Sequence, residues 1–332
     1  MNANWHSRRV LVTGAGGFIG SHLVEALVRS GASVRALVRY NSRNDYGCLE
    51  DAADDVVAEV DVVTADLANP EAVSNAIVGC DTVFHLGALI PIPYSYVHPR
   101  EFVASNVEGT LNVLEAVRRS GREIRIVHTS TSEVYGTAQR APIDEAHPLH
   151  PQSPYAATKV GADQLALSFQ RSFALDVVVV RPFNTYGPRQ SARAVVPTII
   201  SQALTQDRVE LGSLTPTRDL LYVEDTVRGM MAAAGADGVV GAEINLGTSR
   251  EIAIGDLARR ILDLLEVSIP VTSTAERMRP ESSEVDRLVA DTTRARTLLG
   301  WRPEFELNDG LRRTIDWMKS AVSRYKAELY NI

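Results

Sequence analysis

The chain is poor in the residues that staple or anchor proteins. Of its 332 residues only two are cysteine, Cys48 and Cys80, and neither sits at metal-ligand or redox spacing. Both are expected to be idle or buried thiols, which suits a reducing cytoplasm. The seven histidines show no ligand spacing, so no metal is expected. No run of about 18 apolar residues occurs, so no membrane span is expected. Residues 1–9 are short and polar, without the apolar stretch of a signal peptide, and a cytoplasmic protein is expected. Basic residues are in the minority: 34 Lys and Arg stand against 41 Asp and Glu, a formal net charge of -7. That argues against a nucleic-acid partner while leaving room for a local basic pocket. Repeats and low-complexity segments are missing. No serine or cysteine has a nucleophile-elbow context, which argues against covalent hydrolysis.

What is present is an ordinary globular mixture, 45% hydrophobic and 23% charged. Short apolar runs at 8–13, 33–38, 60–64, 82–86, 124–128, 176–181 and 243–246 read as strands. Helical patterns lie between them. In residues 18–30, Ile19, Leu23, Ala26 and Leu27 share a face. In 100–120, Val103, Val107, Leu111 and Leu114 do the same, and 153–173 is a third helix. Continuous apolar strands alternating with helices imply a parallel sheet covered on both sides. Seven such strands make a doubly wound α/β sheet.

Thr13-Gly14-Ala15-Gly16-Gly17-Phe18-Ile19-Gly20 follows the first strand and opens the first helix. Gly14 permits a tight turn, Gly17 lets the backbone approach a pyrophosphate, and Gly20 lets helix and strand pack closely. The helix terminus adds amide donors and the positive end of a dipole. Residues 1–185 therefore read as a dinucleotide-binding domain of the Rossmann type, with 225–250 returning to it. After Arg181 turn residues cluster (Gly187, Pro188, Pro197, Gly212, Pro216), and 186–332 reads as a smaller C-terminal substrate-binding lobe. The second strand ends without the acid that binds a ribose 2′-hydroxyl. Arg39 and Arg43 stand there instead, and a guanidinium pairs well with a 2′-phosphate. The expected cofactor is NADP, with NAD as the alternative.

Tyr155 and Lys159 lie four apart at the start of a helix, on one face. A tyrosine ionises near pH 10, and a neighbouring ammonium is expected to lower that value. Just upstream, Thr131-Ser132-Glu133-Val134-Tyr135-Gly136 ends the fifth strand, where ligands bind in such sheets. Thr131 offers a hydroxyl to orient a substrate hydroxyl for Tyr155, and Glu133 adds a carboxylate.

With these motifs the chain resembles the extended short-chain dehydrogenase/reductase family, nucleotide-sugar branch, over nearly its whole length. The resemblance continues through Asp66-Leu67, His85-Leu86-Gly87-Ala88, Asn106, Arg181 to Arg189, Arg218 to Asp225 and Asn245-Leu246-Gly247. Thr-Ser-Glu before Val-Tyr-Gly is similar to GDP-mannose 4,6-dehydratases, whereas dTDP-glucose enzymes carry Thr-Asp-Glu. Residues 88–96, 188–194 and the terminal Tyr330-Asn331-Ile332 look closest to N-acetylglucosamine-nucleotide 4,6-dehydratases of the legionaminic-acid type.

The resemblance implies a tightly bound, recycled cofactor that also meets Asp66, Leu67 and Leu86. It implies a nucleotide-diphosphate sugar, UDP- or GDP-linked, held by Tyr94, Asn184, Arg218 and Arg279, with Arg189 and Arg193 as further candidates. It implies a homodimer formed by the helices near 100–120 and 153–173. The implied reaction is oxidation at C4, loss of water across C5 and C6 with Glu133 as base, and reduction at C6, with Thr131 and Ser132 orienting the sugar. A decarboxylase of the UDP-glucuronate type and a 4-epimerase are the rival enzymes, and a cofactor-sensing binding protein is the rival of another class. Asp225 is expected to cap a helix at 226–236 rather than touch substrate.

Overall fold

The structure, a computed structural model, describes residues 5–329; the terminal segment 330–332 weighed above lies outside them. Seven parallel strands form the main sheet: β1 (Arg9–Thr13), β2 (Ser33–Val38), β3 (Asp61–Thr64), β4 (Thr82–His85), β5 (Arg125–Thr129), β6 (Val177–Pro182) and β7 (Glu243–Leu246). Their order is β7-β6-β5-β4-β1-β2-β3. The chain runs outward from β1 in one direction through β2 and β3, then resumes beside β1 at β4 and runs the other way. Thr13 pairs with His85 at that reversal. Beyond the carboxyl ends of such a switch point the loops diverge and leave a crevice.

The strands are apolar on both faces because helices cover both. In β6, Val178 and Val180 join one apolar cluster while Val177 and Val179 join the other. All four are fully buried, and each contributes roughly 1.5–3 kcal/mol of transfer free energy. One layer contains α1 (Phe18–Arg29), whose Leu23 and Leu27 meet Val10 and Val12. The other contains α2 (Pro70–Ile77), α3 (Gly109–Ser120) and α4 (Pro154–Phe173). A third cluster, including Ile199, Ile200, Leu257, Ile261, Leu311 and Ile315, lies among the helices Val195–Thr205, Ile254–Leu265 and Leu307–Ala321. Phe18 and Ile19 of α1 pack against its edge. Among the described residues no helix is long and apolar enough to cross a membrane.

Two helical expectations need correction. The stretch 100–120 is not one regular helix: Pro99–Phe102 leads into a π-helical turn, Val103–Glu108, before α3. The extra residue turns the buried Asn106 inward, where its amide accepts from Leu89 N and donates to Leu89 O and Thr158 Oγ1. The apolar face shifts with it, so Val103 and Leu111 are exposed while Phe102, Val113 and Leu114 are buried. Asp225 does not cap a helix. The helix α5 (Val223–Gly235) begins before it, and its buried carboxylate accepts from Glu304 N and Phe305 N, tying the later chain to α5.

Candidate active site

A cavity of about 1070 Å³ occupies the crevice. Gly14, Gly16, Gly17, Phe18, Ile19 and Gly20 line one side, with Arg39, Asp66, Leu67 and Leu86 beside them. Gly14 has φ +70°, and a Cβ there would come within 2.8 Å of Gly87 N. A Cβ on Gly20 would lie 2.2 Å from Gly14 O. Side chains would thus break the turn and push α1 off β1. Gly17 stands at the N-cap of α1 without a side-chain cap, and no acid occupies the first turn. The terminal amides and the helix dipole are left for an anion, so the loop fits a dinucleotide pyrophosphate.

The loops after β1 and β4 are locked together below it. Thr13 Oγ1 accepts from Leu86 N and Gly87 N, so its proton goes to His85 Nδ1, 2.8 Å away. His85 is then an Nε2–H tautomer donating to Thr110 Oγ1, which donates to Asn106 O. At the far end Arg39 is largely exposed and only loosely paired with Asp66, at 3.7 Å. Arg43 turns to Asp45 at 2.9 Å and does not line the cavity, which leaves Arg39 as the cation at that end.

Tyr155 and Lys159 rise from the first turns of α4. Ser153 caps that helix by accepting from Ala156 N, and Pro154 opens it. Both side chains are buried against the cavity, with Thr131, Ser132 and Glu133 across from them. The Tyr155 phenol lies near the Thr131 hydroxyl. Burial pushes its pKa well above the tyrosine range; Thr131 opposes this, and the Glu133 and Asp163 charges reinforce it. The expected lowering by Lys159 is therefore not met in this arrangement. The Lys159 ammonium donates to Thr129 O at 2.7 Å, and burial brings its own pKa down to about 8 against the pull of Asp163. Asp163 is itself buried, accepting from Ser130 Oγ, His128 Nε2 and Arg181.

The opposite wall carries Asn184, Arg193, Arg218 and Arg279. Asn184 Oδ1 and Arg279 Nη1 are buried without a hydrogen-bond partner, which fits a wall that meets a polar ligand. Arg218 is 3.3 Å from Glu284, and Arg279 is 3.8 Å from the same carboxylate. Burial lowers the Arg218 pKa, and the nearby Glu133 opposes it. Tyr94 lies in an adjoining hollow of about 310 Å³ with Arg193, and its hydroxyl donates to Glu101. Arg189 is turned away from the cavity: Nη2 reaches Glu25 at 2.9 Å and Asp51 O at 2.8 Å, fastening its loop to α1. Sequence reasoning missed Glu284, which lines the cavity beside both arginines. It had a signal, an acid five residues beyond Arg279 across a proline turn.

A family model described as GDP-mannose 4,6 dehydratase matches residues 11–314. The chain belongs to that family. The dTDP-glucose 4,6-dehydratase of Streptomyces antibioticus is 34% identical over 315 residues, 93% of this chain and 92% of that enzyme. The UDP-glucose 4-epimerase of Mycolicibacterium smegmatis is also 34% identical, over 94% of this chain and 99% of its own. The UDP-glucuronic acid 4-epimerase of Bacillus cereus, solved with UDP-glucuronic acid and NAD, superposes with a TM-score of 0.85 at 28% identity, covering 94% of this chain and 99% of its own. Family members thus include both dehydratases and 4-epimerases of nucleotide sugars, and they share this seven-stranded α/β architecture.

Proposed function

We propose that the protein is a nucleotide-sugar 4,6-dehydratase that converts a UDP- or GDP-linked N-acetylglucosamine, or a related hexose, to the 4-keto-6-deoxy sugar. The observation that carries the reading is Glu133. It is 8% exposed, lines the cavity, and is close enough to act on both Tyr155 and Arg218. Its carboxylate has no ion pair or hydrogen bond among the described residues, so it is free to take a proton. A 4-epimerase needs no second base. The choice of sugar rests on the likeness of residues 88–96 and 188–194 to N-acetylglucosamine-nucleotide dehydratases.

When bound at the glycine loop, a nicotinamide dinucleotide supplies the two-electron acceptor that turns the C4 alcohol into a ketone and returns the electrons at C6. Tyr155 acts in its ionised form, which burial disfavours and the Lys159 ammonium must offset, and takes the proton of the C4 hydroxyl that Thr131 orients. Lys159 holds Thr129 O and so fixes the strand end from which Thr131 projects. The C4 ketone acidifies the C5 proton, Glu133 removes it and passes it to the C6 hydroxyl, which leaves as water, and a solvent proton returns to C5 as C6 is reduced. Asn184, Arg218 and Arg279 hold the diphosphate, Arg193 closes the rim, and residues 186–224 and 251–329 serve as the substrate lobe. Arg39, free of a tight carboxylate partner, favours NADP over NAD. Equal or tighter binding of NAD in a side-by-side titration would remove that preference.

The test is an NMR-monitored incubation in D₂O with UDP- and GDP-N-acetylglucosamine and with UDP-glucuronate. The expected product is a 4-keto-6-deoxy sugar carrying deuterium at C5. Glu133→Gln is expected to slow its formation by about 10²–10⁴-fold with cofactor binding intact. Carbon dioxide from UDP-glucuronate would instead identify a decarboxylase. The second reading, a 4-epimerase, is favoured by the Mycolicibacterium relative, and a C4 epimer with protium retained at C5 would establish it.

A further inference from the structure

Three of the stretches that carry the site are the 131–136 turn with Glu133, the start of α4 with Tyr155, and the 277–284 turn with Arg279 and Glu284. One residue links all three, two through its side chain and the third through the chain itself. Gln152 stands just before the cap of α4. Its Oε1 accepts from Thr137 N at 2.6 Å, at the end of the Glu133 turn. Its Nε2 donates to Ser282 O at 3.2 Å and to Glu284 O at 2.9 Å. Its own carbonyl accepts from Ser283 Oγ at 2.5 Å. Because that serine proton is committed, Tyr96 must be the donor in the 2.6 Å contact between its hydroxyl and Ser283 Oγ.

We propose that Gln152 is a positioning residue that holds the diphosphate-binding arginines in register with Tyr155 and Glu133, with Tyr96 and Ser283 as a second tie. The inference rests on the reading that Arg218 and Arg279 take the diphosphate. Glu284 is where the load passes. Its carboxylate meets both arginines, and its carbonyl is held by the Gln152 amide. An anion drawn in by Arg218 and Arg279 changes the charge balance around the Glu284 carboxylate. A shift of that backbone pulls on Gln152, and Gln152 is covalently three residues from Tyr155. An amide suits this position because it is acceptor at one end and donor at the other.

Two variants separate positioning from bulk stability. Gln152→Glu keeps the acceptor for Thr137 N but turns an oxygen toward two carbonyls, so it releases only the 277–284 turn. Tyr96→Phe removes one hydroxyl and keeps the ring, and it remains informative if the first variant folds poorly. UDP and GDP are added in turn to cofactor-loaded wild type and to both variants, and amide hydrogen exchange is followed. In the wild type, binding is expected to slow exchange at 277–284 and also at 153–158. In the variants the first effect remains and the second is lost. Turnover should then show kcat reduced about tenfold with KM nearly unchanged, the size expected for losing one or two hydrogen bonds that act in the transition state. Equal protection of 153–158 in all three proteins, or none in the wild type, overturns the proposal. So does a lower Tm with kcat and KM untouched. Wild-type protection of 153–158 without turnover of any nucleotide sugar would instead sink the dehydratase reading and leave the coupling standing.

Discussion

Lys159 is buried with its ammonium on the Thr129 carbonyl, and burial brings its pKa from 10.5 to about 8. Two consequences follow with opposite signs. Below about pH 8 the ammonium is present and the site is competent. Above it the cation is lost, so kcat/KM should fall along an alkaline limb centred near 8, which a pH profile of the free enzyme reads. For stability, between about pH 8 and 10.5 the unfolded chain holds a proton that the folded chain has released. Stability therefore rises with pH in that window, and the burial cost is felt in full below it. The Lys159→Met variant removes this dependence. Its stability relative to the wild type should change by about 3 kcal/mol between pH 7 and pH 10.5, in the wild type's favour as pH rises. Paired urea melts at the two pH values check it, and a constant difference would sink the assignment.

At the scale of elements, α4 carries Tyr155 and Lys159 in its first two turns, so its beginning matters more than its length. Ser153 supplies the cap. Ser153→Ala should cost about 1 kcal/mol of stability in urea melts. It should also speed exchange of the 154–158 amides and lower kcat more than it changes cofactor affinity. The strands, α1, α4 and the glycine loop were legible in the sequence because each rests on a local rule: an apolar period, a cap, a backbone without Cβ. The π turn was not legible, since one extra residue placed to bury Asn106 leaves the helical pattern of 100–120 nearly intact. Arg189 misled for a related reason. An arginine's type announces a phosphate ligand, but its partner was chosen by tertiary contact with Glu25 and Asp51. Gln152 was silent because its three partners are brought together only by the fold.

At the scale of the whole molecule, the question is what covers the outer face of the two helices beside the active site. Val103 is 45% exposed, Leu111 37% and Phe173 49%. Arg118 lies over the Phe173 ring at 5.0 Å, so the end of α3 and the end of α4 form one continuous surface. Leu111 lies seven residues, two turns, before Arg118 on α3 and so shares that face. An isolated exposed leucine means little, but the homodimer expected from the resemblance would bury exposed apolar side chains on both helices. A twofold axis through this face would place α3 and α4 against their own copies, a self-complementary arrangement that closes as a dimer. Such an interface is sensitive to charge at its centre, since every substitution appears twice and the two copies meet. Leu111→Glu, at an exposed position, should leave the fold and the urea midpoint nearly unchanged while placing two carboxylates face to face. Sedimentation velocity is expected to show the wild type at twice the chain mass and Leu111→Glu at the chain mass. A wild type that sediments as a monomer, or a variant that remains a dimer, would show that this face is not the contact. Because α4 carries Tyr155 in its first turn and ends in this face, the monomeric variant should also lose turnover, with its affinity for UDP and GDP intact.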